Sequence, residues 1–246
     1  MTLEKLFKQF GSLFSALQED VFRSKVVEGL LNTIFIAILG LVIGIVIGTV
    51  IAIVKVSPKS NWVLKVSDKI CDIYIAIFRG TPIMAQLLVT YYLLFPMIGL
   101  PVNGFVIGVT VFGMNSGAYV AEIMRGGLNS VDPGQMEAGR TLGLNYATTM
   151  IKIVVPQAIK NIIPTLGNEF ITLIKETSVL SFISIMDLYS SIKLAATPGY
   201  SYAAAYLFMS LIYIALVFAI TMVIKLVERA FSASDRNGGK KKKKGC

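Results

Sequence analysis

Residues 137–156 read EAGRTLGLNYATTMIKIVVP, a polar stretch punctuated by Gly139, Gly143 and Pro156. It lies between apolar runs long enough to be membrane spans. Its first half has the pattern of a short helix with one apolar and one polar face. Asp132-Pro133 supplies the start: a carboxylate that caps free N–H groups, then a proline whose fixed φ suits the first helical position. Gly143 suits a tight exit, and Pro156 suits the opening turn of the next helix. Two readings stand at this point, an ordinary amphipathic connector between spans or a helix exposed for docking.

The surroundings are those of a membrane protein. Of 246 residues, 55% are hydrophobic and 15% charged, with mean hydropathy +0.72. Soluble domains carry about 25% charged residues. The chain has no histidine, which excludes His-based acid–base or nucleophilic chemistry and His metal ligands. Cys71 and Cys246 are too few and too far apart for a metal site or disulfide framework. No Gly-x-Ser-x-Gly elbow or phosphate-binding GxxxxGK[ST] loop occurs, so neither a membrane hydrolase nor an ATPase is encoded. No cleavable signal peptide is visible, because the first long apolar run exceeds an h-region.

Outward from the loop, the apolar pattern predicts an all-α polytopic protein with five spans. Residues 1–25 place Leu3, Leu6, Phe7, Phe10, Phe14, Leu17 and Val21 at helical spacing, an interfacial amphipathic helix. The transmembrane domain is expected over 26–230, with the polar loop at 130–157. Span one covers about Val27–Val54, and its Gly40, Gly44 and Gly48 form a small-xxx-small packing face. Span two covers about Ile70–Ile98, broken at Arg79-Gly80-Thr81-Pro82. Span three runs over Asn103–Met124, span four over Ile159–Val179 and span five over Tyr202–Leu226, with a peripheral or re-entrant stretch near 180–200. Residues 231–246, with lysines 240–244, are expected as a disordered basic tail, either a lipid anchor or a solvated appendage. With the N-terminus outside, most Lys and Arg fall on the side of the polar loop, which places that loop and the C-terminus in the cytoplasm.

The broken span holds the first candidate site. An arginine near the middle of a span is costly unless it faces protein or water, so Arg79 is a functional candidate. Thr81 is expected as N-cap and Pro82 as the first turn of the restarted helix. A helix start and a guanidinium together suit a substrate carboxylate; the alternative is that Arg79 only ties helix ends together. In span three, Asn115, Tyr119 and Glu122 share a helix face at i, i+4 and i+7. Glu122 either meets a cationic substrate group or pairs with Arg79 or Arg125. Gly104, Gly108, Gly113 and Gly117 let this helix pack closely. Glu169, Lys175 and Glu176 are unusual in the apolar span four, and Thr177 at its end is a possible substrate contact.

Taken together, FRGTPIMAQL, NSGAYVAEIMRGGL, the polar loop at 137–156, which is similar to the EAA loop of these proteins, and IKETSVLSFISI resemble permeases of the polar amino acid uptake family of ATP-binding-cassette (ABC) importers. The arginine, lysine/histidine and glutamine importers are the nearest match. The likeness covers about residues 29–230, and the lysine tail has no counterpart in it. It implies a five-span permease in a bacterial cell membrane that works as a dimer, homomeric as first choice. Its partners are then two ATPase subunits and an extracytoplasmic amino-acid-binding protein, with ATP bound by the partner and no cofactor or nucleic acid on this chain. It also implies alternating access. Arg79, Thr81, Asn115 and Glu122, with Tyr119 and Thr177 beside them, would surround the amino acid, arginine being the first guess. Glu137, Ala138, Gly139, Arg140, Leu142, Gly143 and Leu144 would form the coupling helix, with Glu137 and Arg140 as polar contacts and Leu142 and Leu144 as the apolar dock. The competing class is an ion-coupled secondary transporter, but the two related halves common there are not seen.

Overall fold

A computed structural model describes residues 4, 8, 11, 15, 20–195 and 202–243, with side chains left out at 21, 195 and 230–243. The described residues are helical or irregular, with no strand among them. Helix α1 spans Asp20–Val56, α2 Trp62–Gly80 and α3 Ile83–Val89, which runs on through a π-turn at Thr90–Leu94 into α4, Phe95–Met97. Helix α5 spans Gly104–Asn129 and α6 Pro133–Thr141. Helix α7, Tyr146–Thr149, passes through a second π-turn at Met150–Val154 into α8, Val155–Glu176. A 3₁₀ turn, Thr177–Ile183, then leads to α9, Leu188–Ala195, and α10, Tyr202–Lys243.

The centre of the fold is the α1–α5 pair, whose glycines are notched into each other. A Cβ on Gly40 would stand 3.0 Å from Phe112 Cβ, one on Gly44 2.6 Å from Ser116 Oγ, and one on Gly48 2.7 Å from Val120 Cβ. In the reverse direction Ile43 fills the space over Gly113 and Ile47 that over Gly117, at 2.6 and 2.8 Å from the missing Cβ positions. Two helices without water between them gain from this approach through dispersion, since lipid gives no hydrophobic drive between spans. Around the pair, Ile36, Leu87, Ile107, Phe112, Leu173, Ile174 and Leu180 form one buried cluster.

On length and composition three helices qualify as spans: Phe22–Val56, Gly104–Asn129 and Tyr202–Arg229. The pair Trp62–Gly80 and Ile83–Met97, bent by 103°, adds a fourth if counted as one. The expected fourth span, within α8, is 22 residues long but carries Lys160, Glu169, Lys175 and Glu176, so its hydropathy falls short and five spans are not reached by this measure. The expected 1–25 helix lies outside the described residues apart from a few positions; Asp20–Lys25 belong to the first turns of α1. At the other end α10 continues as helix to Lys243, through most of the segment expected as a disordered tail. Extension of an existing helix adds one hydrogen bond per residue without a new nucleus.

Two prolines are accommodated by π-turns, and one of them departs from an expected boundary. Pro156 does not restart a helix: the helical course already begins at Tyr146, capped by Asn145 Oδ1, which accepts from Thr148 N at 2.8 Å. Proline lacks an N–H and crowds the carbonyl four residues back. The wider π-turn just upstream absorbs this, with Val155 N donating to Met150 O. Pro96 is handled in the same way, with Phe95 N donating to Thr90 O.

Beyond the core, α9 is fastened to the start of α1. Buried Asp187 accepts from Tyr189 N and Ser190 N at 3.1 and 3.0 Å, Thr33 Oγ1 accepts from Leu188 N, and Asn32 Nδ2 donates to Met186 O.

Candidate functional site

Arg79 lies at the end of α2, where the chain turns by 103°. Gly80 ends the helix and Thr81 is extended, at φ −123° and ψ 147°, as the residue before a proline prefers. Thr81 is therefore not the N-cap that the sequence suggests. Its hydroxyl donates back to Ile77 O at 2.7 Å, and Pro82 takes the capping position with no side-chain bond. The turn is held by Gln86, a residue the sequence reading passed over. Its Nε2 reaches Phe78 O at 2.9 Å and Thr81 Oγ1 at 2.9 Å. Buried Asn115 of α5 completes the brace, donating through Nδ2 to Gln86 Oε1 at 3.0 Å and Phe78 O at 3.3 Å. Asn115, Gln86 and Thr81 are thus one network, and it fixes the residue immediately before Arg79.

Arg79 itself projects toward α5. Its Cζ stands 5.2 Å over the Tyr119 ring and its Nη1 is 3.7 Å from Glu122 Oε2. Glu122 is also gripped by Arg125, Nη2 to Oε2 at 2.5 Å and Nε to Oε1 at 3.2 Å. Two guanidiniums thus face one carboxylate, and the cluster keeps a net positive charge. It borders an open cavity of about 430 Å³ whose far wall is Asn161 and Thr165 of α8, with Ser130 between. Asn161 Nδ2 donates to Ser130 Oγ at 2.7 Å. Neither α8 residue was singled out in sequence, although their i, i+4 spacing puts both on one face. Further along α8, the buried carboxylate of Glu169 accepts from Ser116 Oγ at 3.0 Å.

Thr177 does not join this cavity. It is buried where α8 passes into the 3₁₀ turn, and its hydroxyl donates to Ile174 O at 2.7 Å.

The polar loop forms a separate feature. Asp132 Oδ1 accepts from Gly134 N at 2.8 Å, capping α6 with Pro133 at its first position. Gly143 takes φ +81°, the left-handed conformation glycine adopts without cost. Gly143 N donates to Arg140 O at 2.9 Å and Leu144 N to Gly139 O at 3.1 Å, closing the helix end. Glu137, Ala138, Arg140 and Leu142 are exposed, Leu142 at 79%, while Leu144 is half-buried. Gly139 instead faces inward: a Cβ there would stand 2.8 Å from Thr149 Oγ1, so glycine lets α6 press onto α7. Tyr146 Oη donates to Val56 O at 2.9 Å, joining this region to the end of α1. Burial raises the Tyr146 phenol above its ordinary pKa.

Residues 40–233 match the family described as binding-protein-dependent transport system inner membrane component. The chain belongs to this family. Among relatives, it is 36% identical over 210 residues to the arginine transport system permease protein ArtQ of Bacillus subtilis (strain 168), covering 85% of this chain and 94% of the relative. Among solved structures, the crystal structure of an amino acid ABC transporter with histidines has a chain 36% identical to this one. They superpose with a TM-score of 0.77, over 89% of this chain and 98% of the other. The inward-facing MetNI methionine ABC transporter, at 17% identity and a TM-score of 0.70, shares the fold over 87% of this chain and 99% of its own. As an inner membrane component of such a system the chain is a multi-pass transport subunit rather than an enzyme, and its family implies ATPase and substrate-binding-protein partners.

Proposed function

We propose that this permease carries polar or basic amino acids, arginine the first to test, inward across a bacterial cell membrane by alternating access. It does so as a homodimer with two ATPase subunits, its N-terminus outside and its C-terminus in the cytoplasm. The observation that carries the reading is the open cavity bordered by Arg79, Tyr119 and Glu122, set at a bent span. There, two guanidiniums against one carboxylate leave room for a second carboxylate, and every amino acid brings one. Arg79 binds that α-carboxylate, Tyr119 flanks it, and Asn115 with Thr81 keeps the bend in shape. Relatives named for arginine and for glutamine transport put both amino acids in the test, with arginine taken first. Glu137 and Arg140, exposed on one short capped helix, and Leu142 at its C-cap suit contact with an ATPase. The density of Lys and Arg on that side supports its cytoplasmic position.

The test is uptake of labelled arginine and glutamine into liposomes holding the permease, its ATPase and the binding protein. Uptake that needs internal ATP, prefers arginine and is lost in Arg79→Ala is expected. Uptake driven by an ion gradient without the ATPase would replace this reading with a secondary transporter. ATP-driven glutamine preference would keep the importer and reject arginine.

A further inference from the structure

On the opposite side of the α5–α8 contact from the Arg79 cavity lies a groove of about 610 Å³ with an almost wholly apolar lining. The end of α1 (Ala52, Ile53), the end of α5 (Met124, Leu128) and the second π-turn with α8 (Ile151, Ile159) enclose it. That volume lies in the range of small-ligand pockets, roughly 300–1,000 Å³. Of its three hydroxyl-bearing lining residues, Ser57 and Tyr146 donate to the carbonyls of Ile53 and Val56, so the groove offers little to a polar guest. It is continuous with the outer face of α1, where Val46, Val50 and Ile53 are 61, 58 and 58% exposed at i, i+4 and i+7. Ile151, on the other wall, is 67% exposed. In a membrane subunit that stripe faces acyl chains, and it leads into the groove.

Residues adjacent in the chain to the lining add charge. Lys55 and Lys59 near the end of α1 are already neutralised by Asp68 and Asp72, at 2.6–3.1 Å. Lys152, next to the lining residue Ile151, is exposed and among the described residues has no ion pair. An apolar slot whose lining segment carries, at the next residue after Ile151, an exposed lysine outside any ion pair among the described residues suits an acyl chain under an anionic headgroup. We propose that this groove is a binding site for an anionic phospholipid of the leaflet on the α6 side, with the acyl chain between α1, α5 and α8 and the headgroup at Lys152. A lipid seated there touches both the α7–π-turn segment behind the polar loop and the central helix pair, so it would stiffen the link between them.

The test uses the full chain purified with its ATPase subunits in nanodiscs containing a trace of phosphatidylglycerol with a photoreactive acyl chain, or the matched phosphatidylcholine. Labelled sites are mapped by mass spectrometry. Expected is label concentrated on residues 49–58 and 146–159, with phosphatidylglycerol favoured about fivefold, the discrimination one lysine near an anionic surface supports. Lys152→Gln, a surface change, reduces that preference to parity and leaves label elsewhere unaltered, while Ala52→Phe fills the slot and removes the label from both lipids. Equal labelling by the two lipids in the unaltered chain overturns the proposal. So does label no denser in the groove than along Val46 and Val50, or a groove cross-linked to a second copy or the ATPase.

Discussion

Replacing Asn115 with alanine separates two roles that this residue can have. Its Nδ2 makes hydrogen bonds to Gln86 Oε1 and Phe78 O at 3.0 and 3.3 Å, and it is 4% exposed. Each such bond contributes about 1 kcal/mol net. Phe78 O keeps its bond from Gln86, so the loss is about 2 kcal/mol, with Gln86 Oε1 left to find water. If this brace holds the bend that aims Arg79, the loss falls on the productive geometry, and about 1.4 kcal/mol per factor of ten gives roughly a 25-fold fall in kcat/KM for ATP-driven uptake. The assay is initial uptake in proteoliposomes over a range of binding-protein-loaded amino acid, with Gln86→Leu beside it. A bracing role requires Gln86→Leu to fall at least as far as Asn115→Ala, because it removes the link to Asn115 together with Gln86's own bonds to Phe78 and Thr81. Uptake within twofold of the unaltered protein in Gln86→Leu, with Asn115→Ala inactive, would refute the bracing argument and make Asn115 a direct substrate contact.

Other substitutions test other parts of the chain. Gly44→Val places methyl groups against Ser116, whose Oγ would stand 2.6 Å from the new Cβ; overpacking of this kind costs about 1–3 kcal/mol, read as a lower melting temperature in detergent. Ser116→Ala removes the hydroxyl that donates to Glu169 and leaves a buried acceptor unpaired, about 1–3 kcal/mol of stability, and Glu169→Leu on that background should recover part of it. Leu142→Asp, at a position 79% exposed, is expected to leave the melting temperature unchanged while abolishing co-purification of the ATPase. Arg79→Ala should also leave stability nearly unaltered, because its 3.7 Å pair with Glu122 is long and partly exposed, worth about 0–1 kcal/mol, while substrate-stimulated uptake collapses.

What could be read in the sequence follows how local the physics is. The glycine faces of α1 and α5 were legible because a small-xxx-small stripe has one common use in a span, and the structure interlocks Gly40, Gly44 and Gly48 with Phe112, Ser116 and Val120. The cap at Asp132 and the positive φ at Gly143 were legible because each is decided by neighbours in the chain. Thr81 was misread for a related reason: its hydroxyl had two equally local options, and the previous turn won once Pro82 forced the extended backbone. Gln86 and Asn161 carried no signal, since an amide in a span acquires its meaning from a partner elsewhere in space, Asn115 in one case and Ser130 in the other. The π-turns ahead of Pro96 and Pro156 are set by backbone hydrogen bonding, Phe95 N to Thr90 O and Val155 N to Met150 O, which residue type does not announce.

The charges around Glu122 alter the argument about the substrate. An acidic residue left unpaired in a span is costly, and an unpaired Glu122 would favour a cationic substrate. Arg125, one turn away, removes that cost: the bidentate pair at 2.5 and 3.2 Å neutralises Glu122 from within the chain. Arg79 is then the cation in surplus, so the site as folded is complementary to the part that all amino acids share. A guanidinium or ammonium on the substrate can be received only if Glu122 leaves Arg125, or if another carboxylate faces the path. Measuring uptake of arginine against glutamine in Arg125→Gln distinguishes these routes. Freeing Glu122 should raise the preference for arginine if Glu122 reads the side chain. An unchanged ratio would assign side-chain selection to other residues or to the binding protein that delivers the substrate.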